Sequence, residues 1–313
     1  MYIGLDVGGT NLRAGLVDEA GRLLAVRKIP LGEFQGVEPF AKTLASLAAQ
    51  AARDGGISPG NLAYVGVGIP GATTKEEILY TCNIPMKNVP LARLLQSYLD
   101  VPVLLENDAN CAAVGEYFCG VGQGTKNFAL VTLGTGIGGG FILNEKLYSA
   151  GGMAGEVGHM VVEKGGAPCT CGRRGCWETY ASATGLIRMT REAMERDKSS
   201  RLWEESDGGT AVTGRTVFAA ALRGDKTAKA LCETYVSYLA AGVVNLLNIF
   251  QPEVLAIGGG IGEAEEELLF APLREIANRE SYATRCGGKV SVVRAKLGGD
   301  AGMIGAALLE RVI

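Results

Sequence analysis

Leu5-Asp6-Val7-Gly8-Gly9-Thr10-Asn11 decides the fold, and Leu133-Gly134-Thr135-Gly136-Ile137-Gly138-Gly139-Gly140 repeats its pattern later in the chain. The first stretch lies between the apolar runs Tyr2–Leu5 and Leu12–Val17. A further run, Leu23–Ile29, follows the turn residues Asp18-Glu19-Ala20-Gly21. Short apolar runs bounded by turn residues read as strand, turn, strand, turn, strand. A dinucleotide fingerprint would open a helix after its glycines, and a P-loop would carry Gly-Lys-Ser/Thr before one. Neither follows here. Such a turn can be a plain Gly-Gly hairpin, or it can present its N–H groups and the Thr10 hydroxyl to phosphate oxygens as a backbone nest does. Asp6, at the end of its strand, offers an oxygen ligand to hydrated Mg²⁺. The later copy runs Phe128–Leu133, glycine turn, Phe141–Leu143, then a turn at Asn144-Glu145. Two copies of one hairpin suggest two related halves facing each other across a cleft.

Between the copies, Phe40, Leu44, Leu47, Ala48 and Ala51 recur at helical spacing within Val37–Asp54, and Gly55-Gly56 stops that helix. Tyr64–Ile69 reads as a buried strand ending in Pro70-Gly71, and Thr81-Cys82-Asn83-Ile84-Pro85 as a polar loop. Leu91–Leu99 reads as a short helix and Val101–Leu105 as a buried strand. Alternating strands and helices predict an α/β protein with parallel strands under covering helices. The last strand runs into Glu106-Asn107-Asp108-Ala109-Asn110, ahead of the helical Ala112–Phe118. A carboxylate at the carboxyl end of a sheet strand stands where such folds keep their chemistry, and Asp108 suits a general base. Asp108 or Asn107 equally suits the N-cap of the next helix, and the two roles are compatible.

Residues 186–232 look helical apart from a polar loop near Ser206-Asp207-Gly208-Gly209, and Tyr235–Phe250 reads as a strongly apolar helix closed by Gln251-Pro252. Val254–Ile257 is a buried strand that ends in Gly258-Gly259-Gly260. This third glycine cluster is either a tight turn or a place where the backbone admits a flat ligand, such as the adenosine part of a nucleotide. Val290–Val293 is a late strand and Ala301–Arg311 a closing helix.

Gly155–Glu178 holds His159, the only histidine, and three of the eight cysteines, Cys169, Cys171 and Cys176. One imidazole and three thiolates close a tetrahedral zinc site; with four protein ligands no position is left for water or substrate, so such a zinc is structural. The alternatives are a glycine-rich loop with unpaired thiols, or an iron–sulfur or disulfide centre. Cys-x-Cys with one His suits zinc better. Cys82, Cys111, Cys119, Cys232 and Cys286 read as small core or surface residues. Trp177 either packs over the metal loop or belongs to the ordinary core.

The 313 residues are 47% hydrophobic and 20% charged, with a net charge of −3 and no Lys/Arg run. That balance argues against a nucleic-acid surface. No apolar run approaches the roughly 18 to 20 residues of a spanning helix, so no membrane partner is expected. The N-terminus enters a strand without a basic segment or apolar leader core, which argues against export. Eight cysteines without an export signal point to reduced thiols in a cytoplasmic protein.

Taken together, Leu5–Thr10, Glu106–Asn110, the Glu-x-Gly-His of Glu156–His159, the Cys-x-Cys-Gly-x-x-Gly-Cys-x-Glu of Cys169–Glu178, and Ile257–Gly260 resemble the ROK family (repressors, open reading frames and kinases) over essentially the whole chain. The resemblance implies the two-lobed actin-like, hexokinase-like ATPase fold, ribonuclease H-like sheets with helices on both faces. The expected lobes are 1–115, joined by a closing helix at 300–313, and 116–299, which carries the zinc motif. It implies an ATP-dependent kinase acting at the 6-hydroxyl of a hexose, most simply glucose. Allose, fructose, mannose or an N-acetylhexosamine stay open as substrates. By position, Asp108 is the implied base. Gly71, Asn83, Asn107, Glu156, His159 and Glu178 are the implied sugar ligands. The implied nucleotide residues are Asp6, Gly8, Gly9, Thr10, Asn11, Thr135, Gly136, Gly258, Gly259 and Gly260. MgATP and a structural Zn²⁺ held by His159, Cys169, Cys171 and Cys176 complete the expected set, in a homodimer or homotetramer. The family often has Lys where this chain has Asn11, so any charge needed there must come from elsewhere. The family also includes sugar-sensing repressors. Those need a basic DNA-binding module ahead of the sugar domain, and this chain starts on its first strand.

Overall fold

The computed structural model describes residues 1–81 and 86–313; Asn83 and most of its polar loop lie outside the described residues. Strands β1 (Tyr2–Val7), β2 (Asn11–Val17) and β3 (Leu23–Pro30) form the antiparallel meander that the glycine hairpin predicts. They are followed by α1 (Val37–Asp54), β4 (Val65–Ile69), and the short β5 (Ala72–Thr73), β6 (Ile78–Tyr80) and β7 (Lys87–Val89), which pair among themselves. Next come α2 (Leu91–Leu99), β8 (Val103–Asn107) and α3 (Asp108–Cys119). The first sheet runs in the order β3-β2-β1-β4-β8, with β4 parallel to both β1 and β8.

Alternation within the strands explains how this sheet is covered. Ile3, Leu5, Val65 and Val67 point to one face and pack with Phe40, Leu44, Leu47 and Ala48 of α1. The intervening positions, Gly4 and Gly66, leave the other face bare where they lie side by side.

The chain continues through β9 (Phe128–Leu133), β10 (Ile137–Leu143) and β11 (Lys146–Leu147). After the cysteine-rich segment come α4 (Glu178–Ala181), α5 (Ala183–Arg196), α6 (Thr216–Leu222) and α7 (Lys226–Phe250). Then β12 (Val254–Gly258), α8 (Ala271–Glu280), α9 (Tyr282–Arg285) and β13 (Val292–Arg294) follow. The second sheet runs β11-β10-β9-β12-β13, with β12 and β13 parallel. Three-strand meander followed by two later strands is the order of the first sheet again. The repeat seen in the glycine turns is therefore a repeat of topology.

Helix α7 is long and apolar enough to cross a membrane by length and composition, which the sequence reading did not expect. About 61% of its most apolar stretch is buried within the protein, where Leu231, Tyr235, Leu239 and Val243 face the core. The helical reading of 186–232 breaks into α5 and α6, separated by turns around Ser200–Thr213.

The chain ends with α10 (Ala301–Ala307) and a turn at Leu309–Arg311 in place of one continuous closing helix. By contacts it divides into two compact units. The first comprises Met1–Leu130, Gly140–Gly155 and Lys296–Ile313; the second comprises Val131–Gly139 and Glu156–Ala295. Residues 116–130 and 140–155 thus group with the first unit, because α3 continues unbroken to Cys119 and packs along α10.

Helix α10 lies on the bare glycine face. A Cβ at Gly4 or Gly66 would stand 1.8 Å from the carbonyl oxygens of Met303 and Ala306, and one at Gly305 would stand 1.6 Å from that of Cys111. Backbone cannot yield as a side chain does, so Gly66→Ala or Gly305→Ala should cost about 3 kcal/mol or more in urea unfolding. Gly60→Ala, where nothing lies within 4 Å, should stay within about 0.5 kcal/mol of the wild type.

Candidate active site

The first unit places its carboxylates at strand ends. The β1–β4–β8 register aligns Asp6 with Gly68 and Gly68 with Glu106, one residue short of Asn107 and two short of Asp108. Asn107 is the N-cap of α3: its Oδ1 accepts the N–H groups of Ala109 and Asn110 at 2.9 and 3.2 Å, while its Nδ2 donates to the Gly71 carbonyl at 3.1 Å. Gly71 takes φ +122, a conformation L side chains avoid, and brings its carbonyl to that amide. Asp108 Oδ1 accepts from the Ala109 N–H at 2.9 Å. Asn107 is thus the N-cap, one of the two candidates the sequence offered, and the Asp108 carboxylate stands beside it.

Burial pushes the Asp6 carboxyl above the usual aspartate range, and Arg13 beside it works in the opposite direction. Arg13 is itself held by the Gly299 carbonyl and by Asp300 at 2.5 Å. Next to Asp6 the turn Gly8-Gly9-Thr10 is closed by Gly8 N–H donating to Asn11 O at 2.9 Å, and Asn11 Nδ2 donates to Thr10 Oγ1 at 2.8 Å. Gly9 and Thr10 are exposed. An acid beside exposed backbone donors suits a hydrated Mg²⁺ with phosphate oxygens.

In the second unit His159, Cys169, Cys171 and Cys176 come together, with all four ligand atoms within 4.8 Å of one another. His159 Nδ1 is 3.6 Å from Cys169 Sγ, and Cys171 Sγ is 3.6 Å from Cys176 Sγ. A tetrahedral zinc with bonds of about 2.3 Å has ligand–ligand edges of about 3.8 Å. The donor set and its spacing therefore fit zinc. The segment is shaped by the bridges Val161–Cys176 and Pro168–Arg174, and Cys169 N–H donates to Arg173 O at 2.9 Å. Trp177, fully buried, fixes it to α7: its Nε1 donates to Tyr238 O at 2.9 Å, and its ring occupies the space a Cβ at Gly242 would need. Trp177 is thus both the anchor of the metal loop and part of the core.

Glu178 has a position that sequence alone did not indicate. Its Oε1 lies 3.0 Å from Cys169 Sγ and 3.5 Å from His159 Nδ1. Its Oε2 lies 2.7 Å from where a Gly136 Cβ would stand, so the same carboxylate touches the second glycine turn. That turn is closed by Gly134 N–H to Gly136 O at 3.0 Å, and Ala183 N–H at the head of α5 donates to Gly134 O at 2.9 Å. Thr135 at its tip is exposed.

Gly259 takes φ +81 against the Leu133 backbone, and Gly260 opens a cavity of about 350 Å³ whose other walls include Gly214, Arg215, Phe218, Leu222 and Ile261. Mainly apolar walls with a few polar groups suit a flat heteroaromatic base. Arg215 and Phe218 escaped the sequence reading because they sit in a helical stretch with no motif of its own.

The structure thus brings Asp6, the Gly8–Asn11 turn, Gly71, Asn107 and Asp108 into one unit. Thr135, Gly136, the His–Cys cluster, Glu156, Glu178 and Gly258–Gly260 fall in the other. Among the remaining described cysteines, Cys111 and Cys232 are buried, Cys119 is half-buried and Cys286 is exposed, all as free thiols.

Two sheets of one topology, glycine turns after corresponding strands and an acid heading a helix define a phosphotransferase-type α/β protein. The ROK family model matches residues 2–312, and the chain belongs to the ROK family. It is 37% identical to a glucokinase of Halalkalibacterium halodurans, over 99% of this chain and 94% of that one. It is 38% identical to a glucokinase of Thermotoga maritima, over 99% of this chain and 98% of that one. The structure of a ROK family glucokinase from Streptomyces griseus, in complex with glucose and AMPPNP, superposes with a TM-score of 0.84 at 34% identity, covering 98% of each chain. The fold is accordingly the actin-like, hexokinase-like ATPase fold.

Because the folded state raises the Asp6 pKa, it binds more protons than the unfolded chain between the ordinary and the raised value, and stability falls as pH rises through that window. Asp6→Asn should flatten that slope and make the protein about 1 kcal/mol more stable at neutral pH. Urea midpoints at pH 4.5 and pH 7 test this; an equal loss at both pH values contradicts it.

Proposed function

We propose that this chain is an ATP-dependent glucokinase that transfers the γ-phosphoryl of ATP to the 6-hydroxyl of glucose. The observation that carries the reading is Asp108, a carboxylate at the carboxyl end of β8 and the head of α3, within a chain alike over its whole length to glucokinases. Asp108 takes the proton of the sugar hydroxyl as that oxygen attacks. Asn107, Asn83, Glu156, His159 and Glu178 pair with the other hydroxyls, since each buried hydroxyl left unpaired is costly. Gly71 supports this set through its carbonyl on Asn107.

ATP brings the transferable phosphoryl group, and Mg²⁺ neutralises charge on its phosphates. On the protein side, Gly8, Gly9, Thr10 and Asn11 offer donors to phosphate oxygens, with Thr135 and Gly136 from the second turn. Asp6 holds the hydrated cation, and Gly258, Gly259 and Gly260 with the adjoining cavity seat the adenosine. Asn11 carries no charge; Arg13, across the β1–β2 ladder from Asp6, is the cation nearest that position along the strand.

Zinc on His159, Cys169, Cys171 and Cys176 is structural. With Nδ1 turned to the thiols, it leaves Nε2 for a sugar hydroxyl and fixes the tautomer that can donate. The reading makes the protein a cytoplasmic enzyme whose thiols stay reduced.

A coupled ADP-release assay across glucose, allose, fructose, mannose and N-acetylhexosamines should rank glucose first by kcat/KM. Asp108→Asn should lower kcat by about 10³ while calorimetric glucose affinity stays within about threefold; normal turnover in that variant would sink the mechanism. Metal analysis should find about one zinc per chain, and Cys171→Ala should lower the melting temperature and raise the glucose KM together. Iron with visible absorbance, or a metal-free variant with unchanged melting and KM, contradicts the assignment.

A further inference from the structure

Glu106 is only 5% exposed, yet it is a carboxylate at the end of a buried strand. Its Oε1 accepts two donors at once, the Asn107 N–H at 2.9 Å and Asn110 Nδ2 at 3.0 Å. Asn110 lies in the first turn of α3 and is 1% exposed. One oxygen therefore ties the last residue of β8 to the first turn of α3, and Asp108 and Ala109 are the residues between the two tied points. The Asn107 side chain separately caps the helix and reaches the Gly71 carbonyl.

We propose that Glu106 is the positioning residue of Asp108: by holding the Asn107 N–H before it and the Asn110 side chain after it, Glu106 sets the direction in which the Asp108 carboxylate points. The proposal rests on the reading of Asp108 as the general base. A cap alone needs only Asn107, which already satisfies the leading N–H groups of α3. Glu106 adds a second restraint from behind the strand end, at a cost. Burial pushes its carboxyl above the usual glutamate range, against the opposing effects of Asn110, Asn107 and Lys75. A leucine there would avoid that cost but leave the Asn107 N–H and the Asn110 amide without this acceptor. A general base works within about 2.6–3.2 Å of the proton it takes. Displacement of a reacting group by about 1 Å costs about a hundredfold in rate.

The test compares Glu106→Ala, Glu106→Gln, Asn110→Ala and Asp108→Asn. Glu106→Ala should lower kcat about a hundredfold, with glucose and ATP KM values changing by less than about threefold. Glu106→Gln keeps an acceptor oxygen, and its new Nε2 has the unpartnered buried Asn110 Oδ1 available. Its kcat should return to within about fivefold of the wild type. Asn110→Ala removes one of the two ties and should lower kcat about tenfold at unchanged KM; it decides the matter with Glu106→Gln should Glu106→Ala not fold. Three outcomes overturn the proposal: Glu106→Ala turning over normally while Asp108→Asn is inactive, Glu106→Gln as impaired as Glu106→Ala, or KM values rising in step with lost melting temperature. An active Asp108→Asn instead overturns the reading of the base, whatever the Glu106 variants do.

Discussion

In the first unit, backbone rests directly on backbone. Helix α10 rests on β1 and β4 where Gly4 and Gly66 have no side chains, and Gly305 returns the favour against α3. Protein interiors are packed like crystals, and a backbone-to-backbone contact has no rotamer through which to relax. Its consequence reaches the strand ends. Gly302 of α10 packs on the Asp6 carboxylate, with a Cβ there only 3.1 Å from Asp6 Cγ, and α3, which packs along α10, begins with Asp108. The relative placement of the two acids therefore depends on the glycine contacts of α10.

Helix α3 is secured by a buried carboxylate near each end. Glu106 holds its head, as argued above. Glu116, fully buried, holds its tail: one carboxylate oxygen accepts from Lys296 and Leu297 N–H at 2.8 and 2.6 Å, and the other from Val121 N–H at 3.1 Å. Lys296 is where the chain re-enters the first unit on its way to α10. Backbone N–H groups that would otherwise be buried without partners are thus gathered onto carboxylates, each of which costs desolvation unless several donors meet it. The same helix that presents Asp108 is consequently locked to the segment that places α10.

How much of this was legible in the sequence follows from which forces leave a local mark. Strand, turn and helix order came through because alternation and Gly-rich turns are local. The alternation Ile3-Gly4-Leu5 and Val65-Gly66-Val67 was readable as strand, yet the meaning of its glycines needed the partner helix nearly the whole chain away. The clustering of His159 with the three cysteines was legible because four scarce side chains stand close in sequence, and the place of Asp108 at a strand end because it follows a buried run. Glu106, Glu116 and the Glu178 contact with Gly136 were not, since an acid at the end of a strand or helix looks the same whether it is solvated or buried under N–H donors. Arg215 and Phe218 line a cavity only because α6 is folded beside Gly260, a juxtaposition no spacing rule encodes. Helix α7 was legible as an apolar helix, but its full length and its buried face became visible only in the fold.

Glu178 links the His–Cys cluster to more than its own loop. One of its oxygens lies against a thiol of the cluster and the other against Gly136, so the cluster and the second glycine turn share a side chain. Glu178 also opens α4, directly after Trp177, whose ring fills the gap at Gly242 and whose N–H is spent on Tyr238. The carboxylate is thereby fixed from two sides, by the metal-binding knuckle and by the core helix α7. Removal of the ligands would release the knuckle side while leaving the Trp177 anchor in place. The physical expectation is a unit that keeps its fold but loses the setting of His159 and Glu178, because the first depends on the buried aromatic and the second on the ligand set. A four-coordinate metal with no open position has no chemistry of its own to perform. The contribution of such a metal here would be geometric, delivered through one imidazole and one carboxylate.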